Sequence, residues 1–478
     1  NDMELVPDNI REQFDHTVDW LESWPAIRNY GLGTRLPFDD EFVIEPLSDS
    51  TIYMAFYTIR HVIDDVDPDR LDPVFFDHVF NGEKDADAVA EETGIDVETV
   101  REARASFDYW YPLDWRTTAN ELIQNHLTFM LYHHTALFDE DNWPEGIATW
   151  GLGTLEGEKM SSSKGHVVLP DDAIAEYGAD TVRFFLYASS EPWQDFDWRA
   201  DEVAEYRDKV RTFYNRSLDL YGSGTDRDMA TIDRYARSRL QRIVRETTEA
   251  LEEFQTRTAG MQAFFALNDL INHYRDRADT LHADVIDDIV TTQVKLMAPF
   301  TPHLCEELWD RFGHDGFVSA ADWPEPDEDL IDPAVEAREE LLQRTVDDIA
   351  EVAGLVGGFD TIRLVVADAW KRDAVRTIAD HVAADTTDIG AIMDDLMQDE
   401  TMQRHGDSLQ TLVQDYTSNP GDLPDVVLDE GAESGTFADA ATFITDRFDA
   451  DLVIEEESES DHEKAERARP GKPAIVLE

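Results

Sequence analysis

Apolar residues at Phe14, Val18, Leu21 and Trp24 recur at intervals of four and three, so the spacing predicts an amphipathic helix from Ile10 to about Arg28. Gly31-Leu32-Gly33-Thr34 and Pro37 break it. A short apolar strand, Phe42-Val43-Ile44, follows, and then a helix over Ile52–Ile59, with Ser48-Asp49-Ser50-Thr51 between them as its cap. From about residue 62 to 106 the chain reads as acidic helix punctuated by Pro68 and Pro73, an insertion rather than core. Tyr109-Trp110-Tyr111-Pro112 reads as a short strand. A helix from about Ala119 to Phe138 comes next, carrying Leu122, Ile123, His126, Leu127, Met130 and Leu131, and Gly146-Ile147-Ala148-Thr149-Trp150 is a further strand. Strands alternating with helices predict a parallel sheet, whose ligands sit beyond the carboxyl ends of its strands.

Past residue 200 the period lengthens to that of long helices, Tyr206–Tyr221, Ile232–Phe254, Arg257–Arg275 and Val285–Met297, with a shorter one over His303–Phe312. Such a run is a helical bundle. Beyond Pro333, Ile362-Arg363-Leu364-Val365-Val366, Val426-Val427-Leu428 and Leu452-Val453-Ile454 read as strands among acidic helices, giving a small α/β domain. No internal repeat organises the chain; Gly-Leu-Gly-Thr occurs at 31–34 and 151–154 in different settings.

At 478 residues the chain is long enough for three or four domains. No run of about 18 apolar residues is present to span a membrane, and the lone Cys305 rules out a disulfide framework or a cysteine-based zinc ribbon within the chain. A soluble protein of a reducing cytosol is expected. Charge changes the picture more: 105 acidic residues against 40 basic ones leave −65. Eleven Trp, 24 Phe and 42% apolar residues supply a core, so disorder is a poor account. A folded protein from a salt-rich cytosol is the better one, because at about 1 M salt the Debye length falls to ~3 Å and dense carboxylates repel little. The net charge therefore decides nothing about nucleic-acid binding.

The chemistry concentrates in Glu156-Gly157-Glu158-Lys159-Met160-Ser161-Ser162-Ser163-Lys164-Gly165-His166. Hydroxyls and backbone N–H groups donate hydrogen bonds, glycines let the backbone come close, and two lysines supply charge, which suits a polyphosphate. Seen alone, the run is more readily a solvated surface turn. Its place directly after a strand of the sheet favours a nucleotide site. His133, His134 and His166 do not make a metal site, since adjacent helix residues point to different faces and no carboxylate–histidine spacing accompanies them.

Lys159 to His166, continued by Tyr177-Gly178-Ala179-Asp180-Thr181-Val182-Arg183-Phe184, resembles the Lys-Met-Ser-Lys-Ser signature region of class I aminoacyl-tRNA synthetases. Asp19-Trp20-Leu21, Gly31-Leu32-Gly33-Thr34, Ile44-Glu45-Pro46-Leu47-Ser48-Asp49-Ser50-Thr51-Ile52-Tyr53-Met54-Ala55, Leu122 to Phe129 and Glu191-Pro192-Trp193-Gln194-Asp195-Phe196-Asp197-Trp198 together resemble the archaeal-type leucyl-tRNA synthetases. The helical region, ending in Ala298-Pro299-Phe300-Thr301-Pro302-His303 and Glu306-Glu307-Leu308-Trp309, resembles their anticodon-binding bundle, and the tail from Lys472 to Glu478 also fits.

The resemblance implies an α/β second half of a class I nucleotide-binding fold over 1–158, a signature-loop and stem-contact region over 159–204, an anticodon-binding bundle over 205–330 and a tRNA-contacting α/β domain over 333–478. It implies leucine–tRNA ligase activity with ATP and Mg2+, and tRNA(Leu) as partner to a monomeric, cytoplasmic protein. A non-catalytic tRNA-binding paralogue, or a sister ligase for isoleucine, valine or methionine, is the alternative. The implied ATP-binding residues are Lys159, Met160, Ser161, Ser162, Ser163 and Lys164, with Lys159 and Lys164 catalytic. Ser162 stands where the signature has its inner lysine, so Lys164, two residues on, is expected to take part of the load. Asp49, Ser50 and Tyr53 are expected to line the amino acid pocket, faced by Glu121 and His126. His126 is as readily a satisfied helix histidine, and Tyr53 a packing residue. No His-x-Gly-His sequence occurs in the chain. It is therefore expected to be the rear part of a longer enzyme and unable to activate leucine alone.

Overall fold

A computed structural model describes residues 3–21, 23–161, 165–429 and 431–478. The chain forms two compact units, one running to Asp208 and taking in Ala250–Thr258, the other comprising Lys209–Glu249 and Ala259–Glu478.

The first unit is built on a parallel sheet of three strands. Strand β1 (Glu4–Val6) leads into α1 (Arg11–Trp20), and β2 (Asp39–Ile44) forms a separate small sheet with two-residue strands at Ile27–Arg28 and Arg35–Leu36. Then come α2 (Pro46–Asp49), α3 (Tyr53–Tyr57), α4 (Pro73–Asn81), α5 (Ala86–Thr93) and α6 (Val97–Trp110). Strand β3 (Trp115–Ala119), α7 (Thr128–Leu137) and β4 (Gly146–Trp150) complete the sheet. Both outer strands pair in parallel with β4, giving the order β1-β4-β3. Ile147 and Ala148 of β4 are wholly buried, as the central strand of a parallel sheet requires. Leu5, Ile10, Phe14, Ile123, Leu127 and Met130 pack with Ile147.

Helices α4 to α6 begin on acids whose side chains accept the first free backbone N–H groups: Asp72 from Phe75, Asp85 from Ala88 and Asp96 from Glu98. Their inner faces bring Phe75, Val79, Val89, Val100 and Phe107 into one fully buried cluster that Ile59 and Phe138 complete. Each of these side chains contributes roughly 1.5–3 kcal/mol by leaving water. The acids thus serve as caps and solvent faces while the apolar residues hold a separate core.

Four expectations need correction. Helix α1 ends at Trp20 rather than near Arg28, and Leu21 is extended, because the approach to Pro25 disfavours helix. The segment after β2 is capped by the Glu45 carboxylate, not by residues 48–51, and divides into α2 and α3. Tyr109 and Trp110 close α6, so the aromatic run is no strand; only Tyr111, before Pro112, is extended. Val426-Val427-Leu428 is not a strand either, although Leu428 is buried in the core.

In the second unit α10 (Ala200–Leu220), which begins in the first, is followed by α11 (Thr231–Glu252), a helical stretch entering α12 (Leu267–Arg277), α13 (Ala283–Met297) and α14 (Pro302–Arg311). These match the expected long helices. The α8 and α9 helices of the first unit are Pro170–Tyr177 and Ala179–Ser189. Beyond the bundle, α15 (Pro333–Val356) packs on a second sheet. Residues Thr361–Val366 form its central strand, parallel to Asp451–Glu456 and antiparallel to Ala474–Leu477.

The bundle and α15 are joined by buried charge. The Glu339 carboxylate accepts hydrogen bonds from His273 Nε2 at 2.9 Å and Arg277 Nε at 2.7 Å. Burial pushes this carboxyl up, but the two donors outweigh it and its pKa lies below the usual carboxylate value. The resulting stability is fully present above the unfolded value of about 4.3 and is lost as pH falls through the lower folded value. Glu339→Gln leaves Arg277 without its charge partner and is expected to cost about 3–5 kcal/mol at pH 7. Urea unfolding of both proteins between pH 7 and 3 should show this difference shrinking in acid.

Candidate functional site

Strands β3 and β4 end side by side, Ala119 opposite Trp150 in the parallel register, and each hands the chain to a different half of the site. Beyond β3 the chain makes a short 3-10 turn, Asn120–Leu122, and then a π-helical turn, Ile123–Leu127, before α7. Such a turn inserts an extra residue into the helix and re-aims what it carries. Here it carries His126, whose own N–H is taken by the Asn125 side chain.

Facing it is α2. Glu45 Oε2 accepts the N–H groups of Leu47 and Ser48 at 2.7 and 3.1 Å and starts this short turn, and Ser50 lies at its end. Ser50 Oγ–H donates to the Leu47 carbonyl at 3.0 Å, and the same oxygen lies 3.3 Å from His126 Nδ1. On the other side of the ring, Arg116 of β3 places Nη2 3.3 Å from His126 Nε2. Burial first, and the Arg116 charge second, hold the imidazole pKa below its ordinary value, so the ring is neutral near pH 7. One residue on, the Thr51 hydroxyl bonds to His133 Nδ1 of α7 and tethers the two segments again.

Of the residues expected to line the pocket, the structure thus brings Ser50 and His126 together. Asp49 is exposed and accepts a hydrogen bond from Thr34 Oγ1 at 3.1 Å. Tyr53 stands edge-on to Tyr57, with ring centres 4.9 Å apart. Glu121 is exposed on the 3-10 turn. Among the described residues none of these three bonds to Ser50 or His126.

Beyond β4 the chain forms a hairpin, β5 (Gly153–Leu155) and β6 (Glu158–Lys159), with β5 also pairing in parallel with β7 (Phe196–Trp198). Gly151 lies so close to the backbone of Gln194 that an added Cβ would sit 2.3 Å from its carbonyl oxygen, so only glycine lets the hairpin leave the strand here. The hairpin is rooted by Asp197. Its Oδ1 accepts from Thr154 Oγ1 and from the Gly157 N–H, both at 2.8 Å, and its Oδ2 from Arg199 Nε at 2.8 Å. The Arg199 bond, with those from Gly157 and Thr154, holds this carboxyl at about 2.

Lys159 is exposed at the end of β6, while Met160 turns inward against Phe185 and Trp198. Ser161 and His166 exchange backbone hydrogen bonds at 2.7 and 3.1 Å, and His166 Nε2–H donates to the Leu155 carbonyl at 3.1 Å. The ends of the lysine-serine loop are thereby pinned to the hairpin. Ser162, Ser163 and Lys164 lie outside the described residues.

Sequence reading missed Arg116 and Asp197. Aspartate between Phe196 and Trp198 breaks an apolar setting, and that is the signal that marks Asp197; Arg116, between Trp115 and Thr117 in a polar strand, carries no such signal.

The parallel sheet thus sends a histidine-bearing turn from one strand end and a lysine-bearing hairpin from the next. The family described as "tRNA synthetases class I (M)" matches residues 93–212, and "Anticodon-binding domain of tRNA ligase" matches 233–356. The chain belongs to the class I aminoacyl-tRNA synthetases, and within them to the archaeal-type leucyl-tRNA synthetases. It is 40% identical over 487 residues to the leucine–tRNA ligase of Methanopyrus kandleri and 39% over 493 to that of Pyrococcus horikoshii, with all of this chain and 50% of each relative covered. The leucine–tRNA ligase of Methanosarcina acetivorans is 37% identical over 492 residues, with 51% of its length covered. The chain spans about half the length of the curated relatives it matches.

If Asp197 is the root of the hairpin, Asp197→Ala should raise hydrogen exchange at the Gly157 amide roughly tenfold or more, with the α4–α6 core unchanged. Exchange mass spectrometry of peptides spanning 152–161 and 75–107 reads both.

Proposed function

We propose that this chain forms part of an ATP-dependent leucine–tRNA ligase, supplying the amino acid pocket, the phosphate-binding loop and the tRNA-docking bundle. What carries the reading is the delivery of His126, which meets Ser50 of α2, and of the Lys159 hairpin from the adjacent strand ends Ala119 and Trp150. Leucine lies against the first, and the phosphates of ATP against the second. The leucine carboxylate attacks the α-phosphorus, pyrophosphate departs, and the lysines stabilise the charge that spreads over the phosphate oxygens. Mg2+ comes with the nucleotide; Asp197, the carboxylate at the hairpin root, is already committed to three protein donors.

The tRNA reading draws on charge. Residues 209–245 hold nine lysines and arginines against four acids, in a chain that is −65 overall. On α11, Arg242 and Arg245 are paired with Glu336 and Glu328, whereas Arg234, Arg237 and Arg239 form no ion pair among the described residues. Arg234 and Arg237, three residues apart, share one face of the helix. They suit RNA phosphates. The same reading includes a salt-rich cytosol, a monomer, and domain limits at 1–158, 159–204, 205–330 and 333–478.

ATP–pyrophosphate exchange in molar KCl tests the chemistry, with this chain joined to a front half that bears His-x-Gly-His. Lys159→Ala and Lys164→Ala should each lower exchange about 10²- to 10³-fold. An unimpaired Lys164→Ala removes that lysine from the mechanism. The isolated chain should form no leucyl-adenylate, and appreciable formation would overturn the division of labour proposed here.

The tRNA contact is tested by filter binding over a salt series. Replacing Arg234 and Arg237 together by glutamate should weaken tRNA(Leu) binding and flatten the dependence of log K on log salt by about 1 per arginine. An unchanged slope would remove this face of α11 from the interface.

A further inference from the structure

A guanidinium carries only hydrogen-bond donors, so the ring nitrogen that meets Arg116 must accept. That nitrogen is Nε2 of His126, 3.3 Å from Arg116 Nη2. A neutral imidazole that accepts at Nε2 carries its proton at Nδ1. Nδ1 in turn lies 3.3 Å from Ser50 Oγ, whose own proton is directed to the Leu47 carbonyl at 3.0 Å. Only one arrangement satisfies every partner: Arg116 donates to His126, His126 to Ser50, and Ser50 to the backbone of α2.

We propose that Arg116 is a positioning residue of the amino acid pocket, fixing His126 in its Nδ1–H tautomer and thereby the direction of the Ser50 hydroxyl. The inference rests on reading Ser50 and His126 as pocket residues. Arg116 touches neither reacting group; it acts through the histidine. Packing alone does not account for it, because Arg116 Nε is buried without a hydrogen-bond partner, a desolvation cost that an aliphatic strand residue would avoid. The cation also opposes a second proton on the ring, which would set an N–H against the guanidinium. Ser50, having given its proton to Leu47, meets a ligand with lone pairs only. The polarity of the pocket is thus written from a residue of β3 that lies behind it.

Long-range proton–nitrogen correlation spectra of the chain labelled with 15N-histidine read the tautomer directly, His126 being identified by the signals lost in His126→Gln. The unaltered chain should show His126 as Nδ1–H. Ser50→Ala should keep that tautomer, since Arg116 rather than Ser50 selects it. Arg116→Met should shift the tautomer ratio at least tenfold toward Nε2–H. The proposal is overturned by Nε2–H in the unaltered chain, by loss of Nδ1–H in Ser50→Ala, or by an unchanged ratio in a folded Arg116→Met. Should Arg116→Met not fold, the first two spectra still decide. All are recorded without leucine. Failure of the joined enzyme to take leucine in equilibrium dialysis would therefore sink the pocket reading while leaving the relay intact.

Discussion

The seating of Trp115 on Gly146 is the contact on which the site depends. The two residues face each other in the parallel register of β3 and β4, and the indole occupies the space a side chain at 146 would need, with a Cβ there falling 2.6 Å from the ring. Strand pairing has a side-chain period of two, so a slip by one residue would turn every side chain to the other face. With the indole filling the gap at Gly146, the register is held. Ala119 and Trp150 then lie level, and everything beyond them inherits that alignment. The Phe254 ring touches both tryptophans, its centre 4.6 Å from that of Trp115 and 5.9 Å from that of Trp150.

From the two strand ends outward, order is supplied by polar groups rather than by apolar packing. On one side the π-helical turn aims His126, and Arg116 and Ser50 fix its ring. On the other, Asp197 ties the Gly157 N–H and the Thr154 hydroxyl, and His166 closes the base of the loop on Leu155. This division suits chemistry on a charged substrate. A turn held by hydrogen bonds keeps donors and acceptors at fixed positions, whereas Lys159 is exposed at the end of its strand.

Charge is arranged by a similar economy. Most of the 105 acids meet water or cap helices, where like charges are tolerated in salt, while buried acids such as Glu339 and Glu336 are matched with arginine. Arg234 and Arg237, which form no ion pair among the described residues, are therefore conspicuous on one helix face of such a chain, and they lie in the segment matched by an anticodon-binding domain.

Much of the architecture is legible in periodicity. The strand Gly146–Trp150, the helix leading to Phe138 and the four long helices beyond residue 200 are written in apolar spacing alone, since burial on a sheet or in a bundle demands it. The signature loop and the Ser50 and His126 segments are legible through family resemblance. What the sequence by itself determined is where the strand Gly146–Trp150 and the long helices run and which segments resemble the family. Only the tertiary structure decided that the aromatic run at Tyr109 closes a helix, that Glu45 rather than Ser48 caps the next turn, and that Arg116 stands behind His126. Each of these depends on a partner distant in the chain or on a backbone N–H waiting at a helix end, and one-dimensional spacing carries no record of either.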